Sequence, residues 1–189
     1  MESSPGTLTD SCSVLLKELQ RVLTAVSPSQ FTSAGEMLLA GRKLFFLGAG
    51  RSGLALEMAA MRFMHLGLQV HVVGEVTAPA IVAGDLLVLA SASGTTKTVM
   101  MAAEVAKKVG AAILVITTAP QSPLAQLATG TIVLTAASKS DTGERASEQY
   151  AGSLFEQAVL LLLDALFHSL WKSGTQSAED LLARHANLE

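Results

Sequence analysis

The segment from Leu89 to Thr96 combines hydroxyl side chains with a glycine where a strand gives way to a helix. It follows the apolar run Asp85 to Leu89, which is typical of a buried strand, and a helical pattern begins near Thr96. Backbone N–H groups at a helix start are unpaired, and the helix dipole favours negative charge there. The segment therefore predicts a phosphate-binding loop. It lacks the lysine and the spacing of a nucleoside-triphosphate loop. The residues expected to bind are Ser91, Ser93, Gly94, Thr95 and Thr96.

A second glycine-containing turn, Gly48 to Gly53, follows the first predicted strand. Its three glycines match the dinucleotide-binding pattern, and Glu75 lies where a ribose-binding acid would be expected. Two observations argue against this interpretation: a chain with five short strands has no room for a substrate domain, and the hydroxyl-rich loop would have no role. A tight turn without a ligand is the other alternative. Ser52 favours a ligand, because a hydroxyl at a helix start can donate to phosphate or sugar. We expect Gly50, Arg51 and Ser52 of this turn to bind the substrate.

Five short apolar runs alternate with amphipathic helical patterns. This alternation predicts an α/β fold of three layers, with a doubly wound parallel sheet in the order 2-1-3-4-5. In that order the loops after the first and third strands flank one crevice, so both candidate loops should meet there. We expect a single domain over 1–189, with N-terminal helices in 1–41, the sheet core in 42–135, a loop over 139–148, and C-terminal helices and a tail in 147–189. The strands are expected at 43–47, 69–73, 85–90, 112–117 and 131–134.

Half of the chain is apolar, only 15% is charged, and the mean hydropathy is +0.44. No uninterrupted apolar run is long enough to span a membrane, so the excess apolar surface predicts an oligomer, and we expect no membrane partner. The helix expected from about 147 to 171 is apolar almost all round, which also indicates burial against another subunit. The net charge of −3 and the lack of a basic stripe argue against a nucleic-acid partner.

The cysteine content and the N-terminus bear on the compartment. Cys12 is the single cysteine, which fits a reducing environment. Residues 1–10 carry neither a basic cluster nor an apolar core, so we expect no signal peptide and a cytoplasmic protein.

Both loops together resemble the sugar isomerase (SIS) domain family. The matching segments are the G-x-G-x-S turn at Gly48 to Ser52 and the S-x-S-G-x-T loop at Ser91 to Thr96. The family often has glutamate where this chain has Thr95. Segments 64–67, 72–77, 153–157 and 184–189 further resemble 6-phospho-3-hexuloisomerases. The resemblance implies a homotetramer of the ribulose monophosphate pathway that converts 3-hexulose 6-phosphate into fructose 6-phosphate. It implies no metal and no organic cofactor.

That reaction moves a carbonyl from C3 to C2 through a cis-enediolate, so it needs a base, donors for the enediolate oxygens, and a site that holds the phosphate. Glu156 is the candidate base, although a glutamate near a helix start can also be inert. His185 is a candidate for proton exchange on the substrate oxygens, because a histidine so close to the C-terminus could reach the crevice of a neighbouring subunit. The alternative is that it belongs to a frayed tail with no role in catalysis. His65 competes for the role in proton exchange, although packing or a contact with the helix C-terminus would explain it as well. Arg51 could stabilise the enediolate or bind a substrate hydroxyl, and the alternative is a solvated side chain at the helix start.

Three other functions remain open. The chain could isomerise another sugar phosphate, such as arabinose 5-phosphate or sedoheptulose 7-phosphate, because such enzymes share both loops. It could also be a non-catalytic sugar-phosphate sensor, or it could bind a dinucleotide. Substrate comparison separates the first alternative, binding without turnover indicates the second, and stabilisation by NAD but not by fructose 6-phosphate indicates the third.

Overall fold

The computed structural model describes residues 6–136 and 147–188, and most of the loop expected at 139–148 lies outside them. Five parallel strands form one sheet in the order β2-β1-β3-β4-β5, which confirms the predicted fold class. The observed strand boundaries differ from the expected ones by one residue at most. The strands are β1 (Leu44–Gly48), β2 (Val70–Val72), β3 (Leu86–Ala90), β4 (Ala112–Thr117) and β5 (Gly130–Val133).

Helices cover both faces of this sheet and give it three layers. The helices are α1 (Leu8–Thr24), α2 (Pro28–Ala40), α3 (Arg51–His65), α4 (Lys97–Val109), α5 (Pro123–Leu127), α6 (Ser153–Ser173) and α7 (Ala178–Leu182). Alternate side chains of a strand point to opposite faces. Phe46 of β1 therefore packs in the core with α1, α2, α3 and α6, whereas Phe45 packs in the core with α4 and α5. The expected N- and C-terminal helices are both present.

The switch point of the sheet lies between β1 and β3. These neighbouring strands run parallel in a register that pairs Leu44 with Leu86 and Gly48 with Ala90. Their carboxyl ends are therefore level, so the turn into α3 and the loop into α4 leave the sheet side by side. Ligands of doubly wound sheets bind at this position.

Helix α6 begins at Ser153, not near residue 147 as the apolar pattern predicts. The expected start was wrong because residues 147–149 are hydrogen-bonded to α1 and Ala151 adopts a positive φ of 50°, which no helical residue has. The expected burial on every face is also incomplete within one subunit, since Leu161 is 39% exposed. In the described parts of the chain, α6 alone has the length and composition of a membrane span. Its buried residues pack in the core with α1, α2 and α3, as in a core helix of a globular protein.

Candidate functional site

A cleft of about 390 Å³ lies at the carboxyl edge of the sheet, above β1 and β3. Three chain segments surround it: the turn before α3, the loop before α4 and the first turn of α6. Five of the predicted substrate-binding residues and the predicted base line it, which brings together residues more than 100 positions apart. The lining residues are Ala49, Gly50, Ser52, Ala90, Ser91, Ala92, Ser93, Thr96, Gly152, Phe155 and Glu156.

The loop before α4 is held in shape by its own side chains. The hydroxyls of Ser91 and Thr96 are hydrogen-bonded at 2.9 Å, and the Gly94 N–H donates to Ser91 Oγ at 3.2 Å. Gly94 has a φ of +62°, and a Cβ at this position would lie 1.9 Å from Ser122 Oγ. Thr95 donates from its hydroxyl to Ser93 Oγ at 3.0 Å. Gly94 and Thr95 are not among the residues that line the cleft, so they shape the loop from outside it.

Three helices begin at this cleft. Gly50, Thr96 and Gly152 are the N-cap residues of α3, α4 and α6, and all three line the cleft. In the described chain none of these helix starts has a side-chain cap, whereas α1, α5 and α7 have one. The first N–H groups of a helix need an acceptor, and the dipole gives that end partial positive charge. Three uncapped helix starts around one cleft therefore form a site suited to an anion such as phosphate.

Arg51 and Glu156 form an ion pair at the edge of the cleft. Arg51 Nε donates to Glu156 Oε1, so the first turn of α3 is joined to the first turn of α6. The Glu156 side chain is 8% exposed and the Arg51 side chain is 68% exposed. The guanidinium therefore compensates a buried carboxylate while it remains accessible to a bound molecule. This arrangement suits a base held next to a cation that can stabilise a developing oxyanion.

The two histidines lie at the opposite end of α3. Their rings are stacked, with 3.9 Å between centroids, and Arg184 Nη1 donates to the His65 carbonyl at 3.1 Å. Because α3 rises about 1.5 Å per residue, His65 lies about 20 Å along it from Arg51. The ring stacking and the Arg184 hydrogen bond dock the tail on the carboxyl end of α3. Because that end is far from Arg51, neither His65 nor His185 contacts Glu156 within one subunit. Burial, with contributions from His185 and Arg62, lowers the pKa of His65 below its usual value.

Two glycines of the dinucleotide-like pattern are explained by packing. A Cβ on Gly48 would lie 2.8 Å from the Gly53 nitrogen, and one on Gly53 would lie 2.9 Å from the Gly48 carbonyl oxygen. The third, Gly50, has a φ of +59° and lines the cleft. Glu75 accepts a hydrogen bond from the Val72 N–H at 3.3 Å and lines other surface pockets, not this cleft. Gly48 and Gly53 therefore allow β1 and α3 to approach each other closely at this turn.

Sequence reasoning did not select Phe155 or Gly152 as site residues. Phe155 is buried and lines the cleft, and Gly152 lines it as the N-cap residue of α6. The sequence offers one signal for them, since both are within four residues of Glu156. Among residues 6–136 and 147–188, no group of three or more His, Cys, Asp or Glu side chains is placed to hold a metal ion.

Comparison with known proteins matches residues 37–169 to the SIS domain. The matched region contains the sheet, both loops and most of α6. The chain belongs to the SIS domain family.

Relatives of this SIS-domain protein carry a more specific description. The chain is 50% identical to a 3-hexulose-6-phosphate isomerase of Mycobacterium gastri, over 96% of this chain and 92% of that protein. It is 34% identical to a 3-hexulose-6-phosphate isomerase of Bacillus subtilis, over 96% of this chain and 98% of that protein. A crystal structure from Methanococcus jannaschii, for which the same molecular function has been inferred, is 27% identical with a TM-score of 0.82, over 95% of this chain and 99% of that one. The resemblance to 6-phospho-3-hexuloisomerases is thereby confirmed.

Proposed function

We propose that this protein is an isomerase that converts D-arabino-3-hexulose 6-phosphate into fructose 6-phosphate. The observation that carries the proposal is the convergence of three uncapped helix starts on a cleft that also contains a buried glutamate. The relatives described as 3-hexulose-6-phosphate isomerases support the choice of substrate. On this proposal the protein acts in the cytoplasm, in the ribulose monophosphate pathway of formaldehyde fixation, without a cofactor.

The substrate phosphate binds at the loop before α4. Ser91, Ser93 and Thr96 supply hydroxyls, and Ser52 adds one from the facing turn. The first N–H groups of the helices complete the site and offset the charge of the phosphate. Binding energy from this remote group holds C2 and C3 of the sugar in a fixed position, which lowers the entropic part of the barrier.

Glu156 removes the proton from C2. The electron pair of that C–H bond forms the C2–C3 double bond, and the former C3 carbonyl oxygen becomes an enediolate oxygen. Arg51, which forms an ion pair with Glu156 and is largely exposed, stabilises the negative charge of the enediolate oxygen. The O2 hydroxyl then loses its proton as O3 gains one, and Glu156 returns its proton to C3. The product carries its carbonyl at C2, as in fructose 6-phosphate.

A histidine from a second copy of the chain assists the exchange between O2 and O3. An apolar stripe along α3 supports this part of the proposal, because Leu54, Met58 and Met61 are each more than half exposed. If two α3 helices pack about a perpendicular two-fold axis, they run antiparallel. The His185 imidazole, stacked on His65 at the end of one helix, then lies beside the start of the other, where Arg51 contacts Glu156. We therefore propose an oligomer with sites near subunit interfaces, and the resemblance to 6-phospho-3-hexuloisomerases leads us to propose that it is a homotetramer.

The test is incubation of the purified protein with D-arabino-3-hexulose 6-phosphate. Fructose 6-phosphate is detected through phosphoglucose isomerase and glucose-6-phosphate dehydrogenase, as the absorbance of NADPH. We expect steady NADPH formation that depends on protein concentration. Arabinose 5-phosphate and sedoheptulose 7-phosphate, each tested by chromatography, should give no product at a comparable rate. A rate no higher than the protein-free control would refute the proposal, and tight binding without turnover would indicate a sensor.

A further inference from the structure

The segment that leads into α6 is fixed by a carboxylate of α1. Glu18 Oε2 accepts hydrogen bonds from Ser147 Oγ at 2.8 Å and from Gln149 Nε2 at 3.0 Å, and its Oε1 accepts one from the Glu148 N–H at 2.9 Å. Ser147 Oγ also accepts from the Gln149 N–H at 3.0 Å. One side chain thus binds three consecutive residues that are 129 to 131 positions away in sequence. We call this set of contacts the Glu18 clamp.

Three residues, 150–152, connect the Glu18 clamp to the first turn of α6 at the cleft. Ala151 has a φ of 50°, a conformation uncommon for a residue with a Cβ. The Ser153 N–H donates to the Tyr150 carbonyl at 3.2 Å, and the Glu156 N–H donates to the Gly152 carbonyl at 3.2 Å. Gly152 itself lines the cleft. The position of the first turn of α6 therefore depends on where residues 147–149 are held.

The charge of Glu18 suits this role. Burial raises its pKa, but the hydrogen bonds from Glu148, Ser147 and Gln149, together with the charge of Arg21, lower the pKa below its usual value overall. The carboxylate thus remains ionised at neutral pH, and hydrogen bonds to a charged acceptor are stronger than those between neutral groups. None of the residues of the clamp lines the cleft.

We propose that Glu18 is a positioning residue, whose three hydrogen bonds to residues 147–149 set the start of α6 so that Glu156 faces the substrate carbon. This inference rests on the proposed isomerase function. It assigns Glu18 no contact with the substrate, so its removal should weaken proton transfer and leave the phosphate site intact. A displacement of a catalytic group by about 1 Å can lower a rate by up to about 100-fold.

The test compares Glu18→Ala with the matched control Glu36→Ala, which removes an exposed glutamate from α2. We expect Glu18→Ala to lower kcat by about 10- to 100-fold and to change KM by less than about threefold. Glu36→Ala should keep both constants. Ser147→Ala, which removes one of the three contacts, should lower kcat by a smaller factor and keeps the test available if Glu18→Ala fails to fold. Unchanged kcat in both clamp variants would overturn the proposal.

A double variant distinguishes positioning from a general loss of structure. If Glu18 acts through Glu156, then adding Glu18→Ala to Glu156→Gln should lower the remaining kcat by much less than it lowers that of the wild type. An equal reduction in both backgrounds would overturn the proposal. If the wild type has no isomerase activity, the proposed function fails separately. Hydrogen exchange then tests whether the Glu18 clamp holds the start of α6. Glu18→Ala should speed amide exchange at residues 152–156, and unchanged exchange would overturn the positioning role of Glu18.

Discussion

Replacing Glu156 with glutamine separates proton transfer from phosphate binding. Glutamine has nearly the same shape, but its amide cannot accept the C2 proton. Loss of a positioned general base typically costs a factor of about 10² to 10⁴ in rate. This corresponds to about 3–5 kcal/mol in the activation free energy. We expect Glu156→Gln to lower kcat by that factor, because Glu156 is the one carboxylate among the described residues that line the cleft.

The same substitution should leave the fold and the phosphate site almost unchanged. The Glu156 side chain is buried, but the Arg51 side chain is 68% exposed, so water can hydrate the guanidinium once the charge of Glu156 is removed and the cost stays near that of a partly screened pair, about 1 kcal/mol. The glutamine amide oxygen can still accept from Arg51 Nε. The free energy of unfolding in urea should therefore change by less than about 1 kcal/mol. The dissociation constant for fructose 6-phosphate should stay within about threefold, because the helix starts and the serine hydroxyls are retained.

The coupled NADPH assay measures kcat, and calorimetry measures the binding of fructose 6-phosphate. Glu104→Gln, an exposed glutamate on α4, is the matched control and should have wild-type constants. A kcat for Glu156→Gln within about tenfold of the wild type would refute the assignment of Glu156 as the base. Loss of fructose 6-phosphate binding together with turnover would refute the separation of the two subsites.

Three further changes test other parts of the molecule. Gly94→Ala should unfold at a lower urea concentration than Gly50→Ala, because both glycines have a positive φ but only a Cβ on Gly94 would collide with Ser122. The free energies of unfolding of the two variants should differ by about 1–3 kcal/mol. Met61→Glu should dissociate the oligomer in light scattering while circular dichroism stays unchanged, since this side chain is 59% exposed in the subunit. The lowered pKa of His65 means that the unfolded chain binds its proton more tightly, so the free energy of unfolding should fall as the pH drops below 6.5, and His65→Gln should reduce that dependence.

The sheet and both loops could be predicted because their signals are local. A buried parallel strand is a short apolar run, and the residues that follow it lie at the carboxyl edge of the sheet. The phosphate loop from Ser91 to Thr96 is contiguous, so its chemistry is visible in the sequence and its ends are set by β3 and α4. For the turn from Gly48 to Gly53 the sequence leaves a ligand site and a ligand-free tight turn open, and the structure shows that Gly48 and Gly53 are both needed for packing.

The start of α6 could not be predicted, because it depends on a contact distant in sequence. Residues 147–152 carry no helix-breaking proline, so periodicity alone extends the helix through them. In the fold, the Glu18 carboxylate binds residues 147–149, and the positive φ of Ala151 interrupts the helical backbone between them and α6. The ion pair between Arg51 and Glu156 is equally non-local, since its two residues are 105 positions apart. A single sequence carries no signal for either contact.

The position of the histidines leads to a prediction about the assembled protein. His185 lies beyond the far end of α3 from Glu156, so it can assist catalysis at that residue only from another subunit. Glu156→Gln and His185→Ala should then each be nearly inactive alone, whereas a refolded equimolar mixture should recover about one quarter of wild-type activity, because a site drawn at random takes its glutamate and its histidine from two intact sources with that frequency. If both groups came from one chain, the mixture would show only the average of the two variants. Activity at that average, in a mixture whose hybrid oligomers are verified by native mass spectrometry, would exclude a shared site.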